Sequence, residues 1–529
     1  VLERPKTEVG AAAEPRPAAR VTEHPQPQRR AANGAEFDLV VIGSGPGGYV
    51  AAIRAAQLGL KAAIIEKGYL GGTCLNVGCI PTKAMLASVE AMATARRGKE
   101  YGFITGEVQP DYGAMTKRRD KIVEQLRGGV GMLMKKNGIE VINGAGKFKS
   151  AHEIEVANGG GREGSRRVTA GNVIIATGSV PSRPPIPGSD LEGVVNSDQL
   201  LALPSVPKSM AVIGAGAVGL EWGDIFHELG TKITIIELLD RVLPPADAEV
   251  SQELARSLQK KGFDLLLGVG VKGIEKKNGG LAVRYAGEGK PEQGVEAEVV
   301  LVATGRWPFT DGLGLDAIGI QVGAQGANPA AKAGSGIYSV KDTDPEPKTI
   351  RPAARTLSVN EQMQTRVTNV YAIGDATAGP QLAHVASKGG EVAAEVVAGH
   401  KARMDYRTVP SCVYTSPEVA WVGLTEAQAR EHHGEVNVGK FPFRILGRAM
   451  ASGYRDGFVK VIAEPKYGEV LGVHMIGAHV TDMIAEPTLG MSMEATVEEI
   501  FHTMHAHPTL PEAFQEASLD AWHRAIHKG

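Results

Sequence analysis

Cysteine is scarce in this chain. Three among 529 residues are far too few to staple a secreted disulfide scaffold. An excess of charge is also lacking. The formal net charge is -2, so no basic field draws in nucleic acid or an anionic membrane surface. No uninterrupted apolar run is long enough to span a bilayer. The apolar stretch from Asp38 to Ile65 is broken by glycines, Pro46, Arg54 and Lys61. Val1 to Gly34 lacks aliphatic periodicity and is rich in Ala, Pro, Arg and Glu, which reads as a disordered tail or linker. Glu3, Glu8, Glu14 and Glu23 argue against a mitochondrial transit peptide, which is basic and acid-poor.

What is present is the composition of a soluble globular protein, 43% hydrophobic and 22% charged. Its length predicts roughly three or four domains. The strongest internal regularity is a duplicated βαβ unit. Phe37 to Ile42 reads as a buried strand entering Gly43-Ser44-Gly45-Pro46-Gly47-Gly48. An Ala-rich helix from Tyr49 to Leu58 follows, then a strand ending at Glu66. Met210 to Ile213 leads in the same way into Gly214-Ala215-Gly216-Ala217-Val218-Gly219. A helix and a strand ending at Glu237 follow. First glycine and acid are 23 residues apart in both units. Such glycines permit a tight turn, close backbone approach to a pyrophosphate and close helix packing. The helix N-terminus offers free N–H groups to phosphates, and the acid accepts from ribose hydroxyls. Glycines serving helix–strand packing alone is the competing reading. It explains neither the matching acids nor the equal spacing.

Two further strand-to-turn runs echo each other, Val173 to Gly178 and Val300 to Gly305, and Val370 to Asp375 is another buried strand ending on an acid. Residues 323–354 carry Gly, Ala, Pro and mixed charge without periodicity and read as a surface insertion. From Thr408 onward, strand-like and helical segments alternate as in a separate α+β domain.

Cys74 and Cys79 follow the first glycine motif, in Gly71-Gly72-Thr73-Cys74-Leu75-Asn76-Val77-Gly78-Cys79-Ile80-Pro81-Thr82-Lys83. A close cysteine pair beside a dinucleotide site can relay two electrons by cycling between dithiol and disulfide. A helix starting just after the pair would lower the thiol pKa. Zinc is the competing reading, but it needs about four ligands, and no second Cys pair or nearby His is present; no metal is expected. Two buried structural thiols are the remaining alternative. Cys412 lies in an apolar strand and reads as a packed thiol.

Together these residues resemble the flavin-dependent pyridine nucleotide–disulfide oxidoreductases. The resemblance runs from about Phe37 to Asp520, outside the tail and the insertion. Its most specific pieces are Gly71 to Lys83, Tyr371 to Asp375, Val413 to Ala420, and His505 to Glu512. It is nearest the branch that oxidises dihydrolipoamide with NAD, the shared third component of 2-oxo acid dehydrogenase complexes. It implies an α/β fold with two Rossmann-like domains, for FAD and NAD, and a C-terminal α+β dimerisation domain. The expected division is a tail at 1–34, an FAD-binding part at 35–182 and an NAD-binding domain at 183–307. A second FAD-binding part would follow at 308–407, with the insertion inside it, and a dimerisation domain at 408–529.

By the same resemblance FAD is held by Gly43, Gly45, Gly48, Glu66, Lys67, Gly72, Thr73 and Lys83. Gly146, Thr177, Gly178, Asp375, Leu382 and Ala383 are further expected FAD contacts. NAD is held by Gly214, Gly216, Gly219, Glu237 and Gly305. Cys74 is the outer thiol that exchanges with substrate, and Cys79 the inner sulfur beside the flavin. His507 and Glu512 supply the acid–base step. An imidazole suits proton transfer near neutral pH, and a carboxylate on its other nitrogen raises its basicity. The resemblance places this pair against the partner subunit's cysteines in a tight homodimer. Lys83 would stabilise charge on the reduced flavin, and Glu221 would meet it near the nicotinamide. His505, His502 and His384 read as structural or surface side chains. Glu237 favours NAD, since a carboxylate repels the 2′-phosphate of NADP, and Arg241 alone makes no basic cluster. That speaks against glutathione reductase relatives, which use NADPH. Mercuric reductase and the large thioredoxin reductases carry an extra C-terminal redox pair that this C-terminus lacks.

The implied partners are lipoyl domains and the core or binding subunits of 2-oxo acid dehydrogenase complexes or the glycine cleavage system, with no nucleic acid and no membrane. A subunit kept only as a structural member of an assembly is disfavoured by retention of both cysteines, His507 and Glu512. Reduction of another small disulfide stays as the alternative. The tail reads as a tether, and some bacterial relatives carry an amino-terminal lipoyl domain on such a linker. A bacterial cytoplasm is favoured over a mitochondrial matrix.

Overall fold

The computed structural model of the chain describes residues 34–158, 164–277, 279–323 and 356–528. The expected tail up to Asn33 and nearly all of the expected insertion lie outside the described residues.

The first parallel sheet grows from the apolar runs noted above. β1 (Phe37–Ile42) is buried along its whole length, because helices cover both faces of a parallel sheet. It enters α1 (Pro46–Gln57) and returns as β2 (Ala62–Glu66). The cysteine run folds into α2 (Gly72–Asn76) and α3 (Cys79–Arg96), and α4 (Tyr112–Lys136) follows. β3 (Glu140–Ser150), β4 (Glu153–Asn158) and β5 (Ser165–Ile175) complete this stretch. β3 pairs with β2, β2 with β1, and β1 with β5, all in parallel. The outer parts of β3, β4 and β5 form an antiparallel meander.

The next stretch repeats this plan. β6 (Ser179–Pro181), β7 (Val194–Val195) and α5 (Ser197–Leu200) lead into β8 (Ser209–Ile213), α6 (Ala217–Glu228) and β9 (Lys232–Glu237). Then come α7 (Ala248–Lys261), β10 (Asp264–Leu267), β11 (Val269–Lys277), β12 (Gly280–Gly287), β13 (Gln293–Ala297) and β14 (Val299–Val302). The order β10-β9-β8-β14-β7 is parallel throughout, and β11-β12-β13 is again an antiparallel meander. β15 (Arg306–Pro308) pairs with β6 and carries the chain back. β16 (Val370–Ala372) joins β5 in the first sheet, and α8 (Ala383–Val397) packs on α1. That packing is close because Gly47 and Gly390 have no side chains. A Cβ on Gly390 would stand 2.4 Å from the Gly47 carbonyl oxygen.

The C-terminal sheet runs β17 (Ser411–Val413), β18 (Glu418–Gly423), β21 (Val470–Gly477), β20 (Phe458–Ala463) and β19 (Asn437–Pro442), all antiparallel. Between and after these strands lie α9 (Glu426–His433), α10 (Gly447–Ser452), α11 (Val480–Met483), α12 (Ala485–Ser492), α13 (Val497–His502) and α14 (Glu512–Ala521). α14 covers β19 and β20. One hydrophobic cluster spans all three regions. Met85, Val89 and Met92 of α3 meet Trp222 and Phe226 of α6, and Val413, Trp421 and Phe458 of the last sheet. Each such fully buried side chain contributes about 1.5–3 kcal/mol. That continuity holds α3, with the cysteines at its start, against the second nucleotide domain. No described helix is long and apolar enough to cross a membrane.

Candidate active site

The two glycine motifs have the same steric logic. The first glycine has positive φ, +102° at Gly43 and +105° at Gly214. A Cβ on either would meet the carbonyl of a neighbouring strand end, Ala176 or Ala303, at 2.4 and 2.6 Å. The last glycine sits on the first: a Cβ on Gly48 or Gly219 would lie 2.0 or 2.3 Å from the Gly43 or Gly214 oxygen. Both demands come from the protein itself. The middle glycine differs. A Cβ on Gly216 would meet nothing within 4 Å, and one on Gly45 only the Cα of Gly72 at 4.0 Å. Protein packing therefore does not require glycine there. Gly45 and Gly216 are the N-caps of α1 and α6, and neither helix start has a side-chain cap. An open position beside free helix N–H groups fits a pyrophosphate.

The acids match as well. Glu66 accepts from the Ser44 and Gly68 N–H groups at 2.9 and 2.7 Å, and from the Ser44 hydroxyl at 2.6 Å. Glu237 accepts from the Ala215 and Leu239 N–H groups at 2.7 and 2.9 Å. Oε1 of Glu66 and both oxygens of Glu237 each keep a second lone pair for a ribose hydroxyl. Ser44, which the sequence reading left without a role, thus fixes Glu66.

The remaining expected FAD contacts gather at the same edge of the first sheet. Gly72 rests on Gly45, and Thr73 stands next to Cys74 in α2. Gly146 lies over Ile42 and Ile65, the last residues before Gly43 and Glu66. Lys67 stacks on the Phe309 ring at 3.5 Å, the Thr177 hydroxyl donates to the Phe309 carbonyl at 2.6 Å, and Phe309 N–H donates to Gly178. Leu382 and Ala383 begin α8, whose N-cap also lacks a side-chain cap. Asp375 follows β16. Its carboxylate accepts from the Ser179 hydroxyl at 2.6 Å, and Arg306 holds Ser179 through Nε at 2.8 Å and Nη2 at 2.9 Å. Burial pushes Asp375 up, against the pull of Ser179 and Arg306. Gly305, at φ +110° with open space beside it, lies just before β15. That Arg306 holds Ser179 was not legible in the sequence, because the contact crosses the junction of β6 and β15.

Cys74 and Cys79 are both free thiols, close enough for one to donate to the other. The hydrogen bond from Cys74, aided by the Lys83 charge and opposed by burial and Glu221, brings Cys79 down to about 7. The same hydrogen bond, with burial, pushes Cys74 up. The helix start expected to acidify the pair thus accompanies one low thiol only. α3 begins at Cys79 itself, and the Cys74 hydrogen bond is the largest influence. Cys79 is solvent-accessible.

Lys83 Nζ reaches Glu221 at 2.7 and 2.9 Å, and lies 4.3 Å from the centre of the Tyr414 ring. Glu221 is 5% exposed and also accepts from the Tyr414 N–H at 3.0 Å. Tyr414 lay in a run already singled out, yet its part as floor and donor needs the fold.

His507 and Glu512 meet at 2.8 Å through Nδ1, and the second Glu512 oxygen accepts from Thr509 N–H at 2.7 Å. Burial pushes Glu512 up, but Thr509 and His507 together hold it below its ordinary value. The His507–Pro508 peptide bond is cis. The His507 ring is 78% exposed, and no described hydrogen bond links it to the cysteines of its own chain. His505 is held between Glu486 and the Thr503 carbonyl at 2.9 Å each, and His384 binds the Pro410 carbonyl. Burial raises Cys412 to about 11, as for a packed thiol. Among the described residues no cluster of His, Cys, Asp or Glu could hold a metal ion.

Two nucleotide sites flanking a dithiol define a redox enzyme that moves electrons between a thiol pair and a dinucleotide. The chain belongs to the pyridine nucleotide–disulphide oxidoreductase family, whose sequence pattern matches residues 37–355 and 348–390. The family's dimerisation domain matches residues 409–518, which supports a homodimer. The chain is 40% identical to dihydrolipoyl dehydrogenase of Bacillus subtilis over 93% of this chain and 99% of that protein. It is 41% identical to the mitochondrial dihydrolipoyl dehydrogenase of Sus scrofa, over 92% and 91%. Among solved structures it resembles LpdA from Mycobacterium tuberculosis, with TM-score 0.79 and 26% identity over 91% of this chain and 98% of that one. It also resembles the HOCl-induced flavoprotein disulfide reductase RclA from Escherichia coli, with TM-score 0.76 and 25% identity over 91% and 99%.

Proposed function

We propose that the protein is an NAD-dependent dihydrolipoamide dehydrogenase: dihydrolipoamide and NAD+ give lipoamide, NADH and a proton. The observation that carries this reading is the dithiol with one depressed member beside two matched dinucleotide cradles. FAD would be held along Gly43, Gly45, Gly48, Glu66 and Asp375, and NAD along Gly214, Gly216, Gly219 and Glu237. FAD bound there would supply the two-electron redox chemistry that links the dithiol to NAD+.

The chain's own residues account for the thiol chemistry. In the oxidised enzyme Cys74 and Cys79 share a disulfide. His507, its Nδ1 proton held by Glu512, takes a proton from one substrate thiol through Nε2. The substrate thiolate attacks Cys74 and expels Cys79, the better leaving group because its thiol is the more acidic. The second substrate thiol then attacks the mixed disulfide, closing lipoamide and leaving Cys74 as a thiol. The exposed His507 ring suits delivery to the cysteines of a partner subunit. Lipoyl domains and core or binding subunits of 2-oxo acid dehydrogenase complexes or the glycine cleavage system are the partners this activity implies. A bacterial cytoplasm, with the mitochondrial matrix second, is the compartment that suits a cycling dithiol.

The test is NADH formation by the purified protein from dihydrolipoamide and NAD, run beside reduced glutathione with NADP. Turnover with the first pair alone supports both the substrate and the role of Glu237. A flavin-loaded protein inert toward dihydrolipoamide would overturn the substrate assignment and favour another small disulfide.

A further inference from the structure

One face of α6 carries two buried carboxylates, Glu221 and Asp224, and only Glu221 has been given an expected role. Glu221 and Asp224 stand three residues apart, so they leave the helix on the same side. They are 5% and 3% exposed, which demands partners for both charges. Each has one lysine and one backbone N–H from the C-terminal domain. Glu221 takes Lys83 and the Tyr414 N–H at 3.0 Å. Asp224 takes Lys261 Nζ at 2.6 Å and the Ser416 N–H at 2.8 Å. Two N–H groups of one short segment therefore dock on two acids one helical turn apart. The Tyr414 ring, 4.3 Å from Lys83 Nζ, is carried by that segment.

The two partners of Asp224 are not equivalent. Lys261 is 22% exposed and has Glu228 at 3.8 Å, so it can pair elsewhere or reach water. Asp224 is the acceptor of the Ser416 N–H, and without it that donor loses its partner at a domain boundary. The anchor therefore matters more than the ion pair.

We propose that Asp224 is a positioning residue: by holding Ser416 N–H it fixes the segment bearing Tyr414, and through it the Glu221–Lys83 pair at the flavin–nicotinamide junction. This rests on the roles given above to Lys83 and Glu221, but not on the identity of the disulfide substrate.

The experiment uses the flavin-loaded protein and three variants, Asp224→Ala, Asp224→Asn and Lys261→Met. Two readouts need no disulfide substrate: the rate of flavin reduction by NADH in stopped flow, and the visible spectrum of the oxidised flavin. Asp224→Ala removes the acceptor and is expected to slow reduction about tenfold, as a small misplacement of reacting groups does, with a shifted spectrum. Asp224→Asn keeps an oxygen for Ser416 N–H, and Lys261→Met keeps the whole anchor. Both are expected within about twofold of wild type with an unshifted spectrum, since the bond to Ser416 survives. Equal losses in Asp224→Ala and Asp224→Asn, or no loss in Asp224→Ala, would overturn the proposal. If Asp224→Ala does not fold, Asp224→Asn decides: wild-type behaviour supports the anchor, and a tenfold loss refutes it. Dihydrolipoamide turnover, measured separately on the wild type, tests the substrate reading alone.

Discussion

The Cys79 thiol is drawn down to about 7, while that of Cys74, five residues earlier, is pushed up. Below that value Cys79 is a thiol, and above it a thiolate, so the thiolate fraction rises through neutrality. In the reduced protein, the ultraviolet thiolate absorbance missing from Cys79→Ser should titrate with a midpoint of about 7. Cys74→Ala deletes the hydrogen bond that is the largest cause, so the midpoint should move upward. A midpoint unchanged in Cys74→Ala would mean that Lys83 sets the value instead. The cysteine run was legible in the sequence because its residues are close neighbours. Which thiol becomes acidic was not, since Lys83 and Glu221 act on Cys79 from another turn and another domain.

At the scale of elements, the glycine motifs separate packing from binding. Gly219 abuts the Gly214 carbonyl, so Gly219→Ala should cost about 1–3 kcal/mol by forcing apart helix and turn. Gly216→Ala points into open space at an ordinary negative φ. It should unfold at the wild-type temperature yet bind NAD more weakly. Thermal melts beside NAD titrations check both, and a destabilised Gly216→Ala would refute the distinction. The strands and glycine turns were read from local pattern, since burial on both faces makes a parallel strand a continuous apolar run. The first helix begins at Pro46, three residues before the expected Tyr49, because proline is pre-organised for the first helical turn. The antiparallel meanders β3-β4-β5 and β11-β12-β13 were not read, although Ile154 and Val156 of β4 and Leu281, Val283 and Tyr285 of β12 alternate with outward-facing residues as antiparallel strands with one solvated face do.

The whole molecule is tied together by charges far apart in sequence. Lys460 of β20, 1% exposed, meets Asp247 at 2.9 Å, Glu249 at 2.8 Å and Glu426 at 2.7 Å. Burial pushes Asp247 up, yet His474, Lys460 and the Glu426 N–H together hold it below its ordinary value. His474 beside it is driven toward the neutral form by burial, so Lys460 supplies the standing positive charge. Removing it in Lys460→Met would strand Asp247 and should cost about 3–5 kcal/mol in denaturant unfolding at neutral pH. The carboxylates are depressed in the folded state, so their contribution is present above their unfolded pKa values. It fades as pH falls through the folded ones, below about pH 4. Lys460→Met should therefore lose stability less steeply in acid than wild type. A loss under 1 kcal/mol at neutral pH would show that the cluster is not a clamp.

The homodimer admits a test of its own. If His507 serves the partner's cysteines, Cys74→Ser and His507→Gln chains, each inactive, should regain activity when mixed and reassociated. Random pairing makes half the dimers mixed, each with one intact site, so about a quarter of wild-type activity is expected. No recovery, with mixed dimers shown by mass spectrometry, would place each site within one chain.

The sequence by itself determined the repeated strand–glycine–helix–acid units, the cysteine run and the His507–Glu512 spacing, because sterics, period and short separation are local properties. Only the tertiary structure decided that Ser179 bridges Arg306 to Asp375, that Asp224 takes the Ser416 N–H, and that Lys460 balances Asp247. Those partners lie one hundred or more residues apart, and a buried charge finds its counter-charge only once packing has brought the two elements together.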